Sequence, residues 1–152
     1  MKALQGIIAI LGRVCLCAAF AAAAYHHTQD FQQQEIDLSK HLSKHKVLQP
    51  YSWQALLAAI VCLSVGSLSI IIGYKARFGA FLLLVFLGVV TYFYHDFWDK
   101  TTFGEWQAEF GNFLRNLSFA GAMLFILANG AGAASLDRCL KERKTPPGPI
   151  GP

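Results

Sequence analysis

Arg13 is the residue whose type and place ask most of chemistry. It interrupts an apolar stretch nine residues from the start of the segment 4–24, about 13 Å along a helix rising 1.5 Å per residue. A guanidinium at that depth in a bilayer costs a few kcal/mol, so it requires an internal partner or a polar cavity. Two readings follow. In one, Arg13 contacts an anion, a quinone oxygen or a substrate headgroup, with Asn129 and Ser67 at comparable depth on other helices. In the other, it snorkels to the nearer interface. A second constellation is the run Tyr94-His95-Asp96-Phe97-Trp98. A histidine beside a carboxylate titrates near neutral pH and relays protons or binds metal. With Arg115 and Asn116 it would form a His–Asp–Arg cluster, or Asp96 and Arg115 would pair as a purely structural cap. The candidate catalytic residues are thus Arg13, His95, Asp96 and Arg115, and the candidate cofactor contacts Arg13 and Asn129.

Other reactive side chains give less. His41 and His45 have the i, i+4 spacing of a shared helical face, but no third ligand is fixed by spacing and there is no His-Glu-x-x-His. No metal centre is expected, and a metal-responsive sensor using the outward histidines remains the third functional reading. Cys15, Cys17, Cys62 and Cys139 include no Cys-x-x-Cys pair, which argues against thiol exchange and for small apolar packing residues. Neither a phosphate-binding glycine loop nor a Gly-x-Ser-x-Gly elbow occurs.

The elements that must carry these residues are membrane spans. Of 152 residues, 55% are hydrophobic and 14% charged, and the net charge is +4. A soluble domain carries about 25% charged residues. Four stretches, 4–24, 53–74, 78–94 and 116–135, suit a hydrocarbon core that takes about 20 helical residues. They lack barrel-like alternation, so helix is the form that satisfies their backbone in lipid. The reading is therefore an all-α integral membrane bundle of four transmembrane helices in one domain, 1–137, followed by a basic, Pro- and Gly-rich tail, 138–152. Between the first two spans, 34–48 reads as a short amphipathic outer helix, with Leu38, His41, Leu42 and His45 on one face.

Lys and Arg count 7 on the side of Lys2, Lys75, Arg77 and the basic tail against 4 on the side of Lys40, Lys44, Lys46 and Lys100. That bias puts both termini in the cytoplasm. Tyr25, Tyr51, Trp53, Tyr92, Tyr94, Trp98 and Trp106 mark the outer boundary. The competing reading is a signal peptide cleaved after the run Ala21-Ala22-Ala23-Ala24, which Arg13 opposes. The basic residues flank apolar runs instead of forming one patch, so nucleic acid is excluded as a partner. The lipid bilayer is the expected partner, along with redox proteins or further copies of the chain.

Several blocks resemble the DoxX family: Gly12-Arg13, Gly73-Tyr74-Lys75-Ala76-Arg77, His95-Asp96-Phe97-Trp98, Phe113-Leu114-Arg115-Asn116-Leu117, Gly121, Gly130-Ala131-Gly132 and Ser135-Leu136-Asp137. The resemblance covers roughly residues 4–137. It implies a small four-helix protein of the bacterial or archaeal cytoplasmic (inner) membrane. Some members are subunits of a thiosulfate:quinone oxidoreductase, and others are linked to membrane redox complexes in oxidative-stress defence. It therefore implies a membrane subunit of a quinone-linked redox complex, with Arg13 polarising a carbonyl oxygen, His95 and Asp96 passing protons, and the electron-carrying centre in a partner. Two positions depart from the family pattern. Leu63 stands where many members have a glutamate, and Tyr25-His26-His27 replaces a lysine. The alternative is a non-enzymatic membrane scaffold or small-solute/lipid-handling protein. The two differ in whether Arg13 and the outer cluster line one continuous cavity.

Overall fold

The computed structural model describes residues 2–44, 48–94 and 97–144. They form six α-helices: α1 (Lys2–Gln29), α2 (Phe31–His41), α3 (Ser52–Ile72), α4 (Ala76–Tyr94), α5 (Phe103–Asn129) and α6 (Leu136–Lys144). Short 3-10 turns lie at Leu42–Lys44, Gln49–Tyr51 and Phe97–Asp99. There are no strands among the described residues. Four helices, α1, α3, α4 and α5, are long and apolar enough to cross a membrane. The protein is an all-α integral membrane bundle.

Helix α3 packs between α1 and α4, and α5 lies along α4. Phe20 of α1 meets Phe119 of α5 at a ring distance of 5.0 Å, which brings the first and last spanning helices together. The fully buried layer is small: Cys17, Leu63, Ile70, Ala76, Ala80, Leu83 and Met123. Outside it, Leu4, Ile8, Leu11, Val61, Leu68, Phe81, Val89 and Phe125 are exposed. In water such a surface would be an aggregation site; in lipid it is the solvated one. The α3–α4 seam is close because both helices present glycine. A Cβ on Gly66 would stand 2.7 Å from Leu83 Cγ, and one on Gly79 would stand 2.8 Å from the Gly66 carbonyl oxygen. Small residues permit this backbone approach, where dispersion replaces the missing hydrophobic drive.

Contacts between neighbouring helices fix their levels. Arg77 Nη2 donates to Ala128 O at 3.0 Å, and Asn116 Nδ2 donates to Thr91 Oγ1 at 3.1 Å. Asn116 is therefore level with the last turn of α4, and the first three turns of α5 project past it. There Phe97 collects the rings of Trp98, Trp106, Phe110 and Phe113 at 5.1–6.4 Å.

Two boundaries differ from the sequence reading. The fourth helix is α5, Phe103–Asn129, in place of 116–135. Gly130 and Gly132 take φ of +76° and +75°, and Ala134 +54°. The Ala/Gly run 130–134 is apolar enough to count as span, yet its left-handed residues cannot continue a helix. The outer helix is Phe31–His41 in place of 34–48; it begins one residue after α1 ends. Residues 45–47 and the tail 145–152 lie outside the described residues. The first part of the basic segment, through Lys144, is helical as α6.

Candidate functional site

At the end of the bundle that carries the start of α1 and all of α6, a clasp gathers residues from three distant places in the chain. The Cα–Cβ bonds of a helix tilt toward its N-terminus, so Arg13 reaches back along α1. Its Nη2 donates to Ala134 O at 2.8 Å. The residue is only 6% exposed, and its Nε and Nη1 have no hydrogen-bond partner. Nη1 lies so close to Gly73 that a Cβ there would overlap it at 2.3 Å. Gly73 caps α3 in the left-handed region, φ +71°, and its carbonyl accepts from Asp137 N at 2.8 Å.

Asp137 closes the clasp. Its Oδ1 accepts from Lys75 N at 2.8 Å and its Oδ2 from Ala76 N at 3.1 Å. These are orphan donors at the start of α4, where Tyr74 and Lys75 supply no capping side chain. Ser69 Oγ donates to Tyr74 O at 2.7 Å and to Lys75 O at 3.1 Å, bracing a turn in which Lys75 has φ +48°. Sequence reasoning missed this role of Asp137. The available signal was negative: a helix beginning at Ala76 without Ser, Thr, Asp or Asn before it must find its cap elsewhere.

The sequence candidates fall in different places. Asn129 is exposed, and its Nδ2 turns back to Phe125 O at 3.0 Å; Ala134, not Asn129, is what Arg13 bonds. Ser67 is buried with an unpartnered Oγ. Arg115 is exposed, twelve residues inside α5 instead of at its start, and its Nη2 donates to Asn112 Oδ1 at 3.0 Å. His95, Asp96 and His45 lie outside the described residues, so their cluster and their metal pairing do too. His41 stacks on Tyr94 at 4.4 Å between centroids, with Nδ1 2.9 Å from Asp37 O. Among the described residues no three His, Cys, Asp or Glu side chains gather as a metal site would require.

At the opposite end, α2 roofs a cavity of about 340 Å³ between α3 and α4. Leu38, Leu56, Ala59, Phe86, Val90 and Phe93 form much of its wall. Its polar corner is made by His27, the last-turn residue of α1, and Gln34 of α2, with Nδ1 and Oε1 3.2 Å apart. An amide oxygen only accepts, so this contact is a hydrogen bond in the tautomer whose Nδ1 carries the proton, which in a neutral ring leaves Nε2 as an acceptor. Tyr51 and Tyr94 also line the cavity, and among the described residues no Lys, Arg, Asp or Glu does. Arg13 is not among its lining residues. The roof is held by Ser52, whose hydroxyl donates to Glu35 of α2, and by the Phe31–Trp53 edge contact at 6.3 Å. Neither His27 nor Gln34 carries a sequence signal for this pairing, because it depends on the break between α1 and α2 at Asp30.

Comparison with known proteins bears on family more than activity. The Surfeit locus protein 4 homolog of Schizosaccharomyces pombe is 28% identical over 87 residues, 57% of this chain. The chain spans only 28% of that relative's length. No solved structure matches it. The family model for DoxX matches residues 8–96, more than half of the chain, in the segment holding Arg13, the α3–α4 turn and the roofed cavity: the chain belongs to the DoxX family.

Proposed function

We propose that this DoxX-family protein is a membrane-embedded binding protein for an apolar molecule with a neutral, hydrogen-bonding head, of which a quinone is the foremost example. The observation that carries the reading is the roofed cavity. Its volume is at the small end of the roughly 300–1,000 Å³ found for ligand pockets, enough for a ring-sized head with the tail left in lipid. Among the described residues its wall offers no charged partner, which disfavours anionic and cationic heads. Quinone fits this donor set: the His27 ring and Gln34 amide offer both donor and acceptor capacity beside carbonyl or hydroxyl oxygens.

If a quinone binds, it supplies two-electron, two-proton carrier chemistry, and the electron-carrying centre belongs to a partner protein of the same inner membrane. The chain's own residues then orient the head at His27 and Gln34 and exclude water through α2. His95 and Asp96, which follow α4 beyond Tyr94, are the groups that would exchange protons with the outside, both termini being cytoplasmic in this reading. One observation favours a second role for Arg13. Its buried Nε and Nη1 lack partners, the condition of a group kept to meet an anion or carbonyl oxygen at the clasp end.

The test is equilibrium binding of a decyl-tailed benzoquinone and of a monoacylglycerol to the purified full chain in mild detergent. Saturable binding that Ala59→Phe abolishes by filling the cavity, and Gln34→Leu weakens, is the expected result. Quinone binding alone selects the redox-subunit form, and binding of both selects lipid handling. Binding indifferent to Ala59→Phe defeats the proposal.

A further inference from the structure

The seam between α4 and α5 holds a groove of about 460 Å³. Helix α4 turns Phe86, Val90 and Phe93 to the roofed cavity but Leu87, Gly88 and Thr91 to this groove. On α5 the lining residues are Asn116, Leu117 and Ala120. In each of these last two trios the final residue lies four and three positions beyond the others, so each trio keeps to one helical face. Gly88 makes an open floor, since an added Cβ there would meet nothing within 4 Å. Gly88 and Leu117 are both exposed, so the groove opens on lipid.

One point of this apolar groove is polar. Asn116 is only 8% exposed, and its Nδ2 donates to Thr91 Oγ1 at 3.1 Å. That bond uses one of the two N–H donors of the amide and none of the acceptor capacity of Oδ1. Thr91 Oγ1, used as an acceptor, keeps its own hydrogen to give. Among the described residues no donor reaches Asn116 Oδ1 and no acceptor meets the Thr91 hydroxyl. No charged side chain lines the groove among the described residues. Thr91 is three residues short of the end of α4, about 5 Å, and α4 is about as long as a hydrocarbon core is thick. The pair therefore sits just inside the boundary, at the level of Tyr92 and Trp98, which also line the groove. Water is scarce there, and hydrogen-bonding capacity left unmet is costly.

We infer that this groove binds a neutral lipid whose head is a free hydroxyl, its chain along Gly88 and its oxygen at the Asn116–Thr91 pair. A hydroxyl is the smallest head that both donates to Oδ1 and accepts from the Thr91 hydroxyl. Esters, ethers and ketones only accept, and so leave Oδ1 unmet. A charged head would find no counter-charge on the wall. The groove shares no lining residue with the roofed cavity among the described residues, and its ligand is independent of the one bound there.

The experiment is native mass spectrometry of the delipidated full chain in neutral detergent, offered equal amounts of dioleoylglycerol and its methyl ether. The two lipids differ only in whether the head oxygen can donate. Wild type is expected to retain the alcohol over the ether by about fivefold, the net worth of one hydrogen bond. Ala59→Phe, which fills the roofed cavity, should leave that ratio in place, so the groove is read separately from the cavity. Asn116→Leu should bring the ratio close to one while retention of the ether stays at its wild-type level, a split that collapse of the seam would not give. Gly88→Leu grows into free space and should lower retention of both lipids with the far-UV circular dichroism unchanged. Equal retention by wild type, a preference surviving Asn116→Leu, retention untouched by Gly88→Leu, or a preference abolished by Ala59→Phe would each overturn the assignment.

Discussion

Replacing Gly73 by alanine probes the clasp at its tightest point. The added Cβ would stand 2.3 Å from Arg13 Nη1, 2.6 Å from Ser135 Cβ and 3.0 Å from Ser135 Cα. Carbon contacts are optimal at about 3.5–4.0 Å, so all three are overlaps, and the last is with backbone. Arg13 cannot withdraw easily, because it is buried and Nη2 is held by Ala134 O. Overpacking of this kind costs about 1–3 kcal/mol. The left-handed φ of +71° adds about 1–2 kcal/mol for any residue with a Cβ. Gly73→Ala is therefore expected to lose about 2–5 kcal/mol. The assay is reversible unfolding of the detergent-solubilised chain by added dodecyl sulfate, followed by far-UV circular dichroism. Gly12→Ala is the matched control: it lies one residue from Arg13 in mid-helix, with nothing within 4 Å of its added methyl. It should stay within about 1 kcal/mol of wild type. A Gly73→Ala protein as stable as Gly12→Ala would refute the claim that the guanidinium, Gly73 and Ser135 are locked together. Truncating the arginine in the Gly73→Ala background should recover part of the steric loss, measured as a coupling between the two sites.

Gly79→Ala should destabilise by about 1–3 kcal/mol in the same assay, because its methyl would meet Ser69 Cβ at 2.7 Å and the Gly66 oxygen at 2.8 Å; Gly88→Ala, with open space around it, should not. Asp137→Ala removes the acceptor of two α4 donors and should cost about 1–2 kcal/mol, with faster hydrogen exchange at Lys75 and Ala76. The Asp37 carboxyl is held below its ordinary 3.8 by Lys40 and Gln33. A depressed folded value means its contribution is complete above 3.8 and disappears as pH falls through the lower folded value. Protection of the α2 amides, taken as exchange relative to the intrinsic rate at each pH, should thus fall below about pH 4 in wild type, whereas Asp37→Asn should show no such acid step.

The sequence by itself determined the number of spans and their helical form, since an apolar segment without water must satisfy its backbone internally and length alone then counts the crossings. It also marked Arg13 as anomalous, because the cost of a buried guanidinium is independent of the fold. What it left open was where that side chain goes. Residues 13, 73 and the pair 134 and 137 have no local relation to one another, and their meeting follows from how far each helix extends and how the chain turns between them. The turn at 130–135 is a case in point: apolar composition counted it as membrane helix, while positive φ at Gly130, Gly132 and Ala134 folds it back so that Ala134 meets Arg13 and Asp137 reaches α4. The cavity was equally hidden. Its polar corner joins His27 to Gln34 across the break between α1 and α2, and its volume is the space left where α2 roofs α3 and α4. Composition fixes which surfaces face lipid; only the packing of helices against one another decides what they enclose.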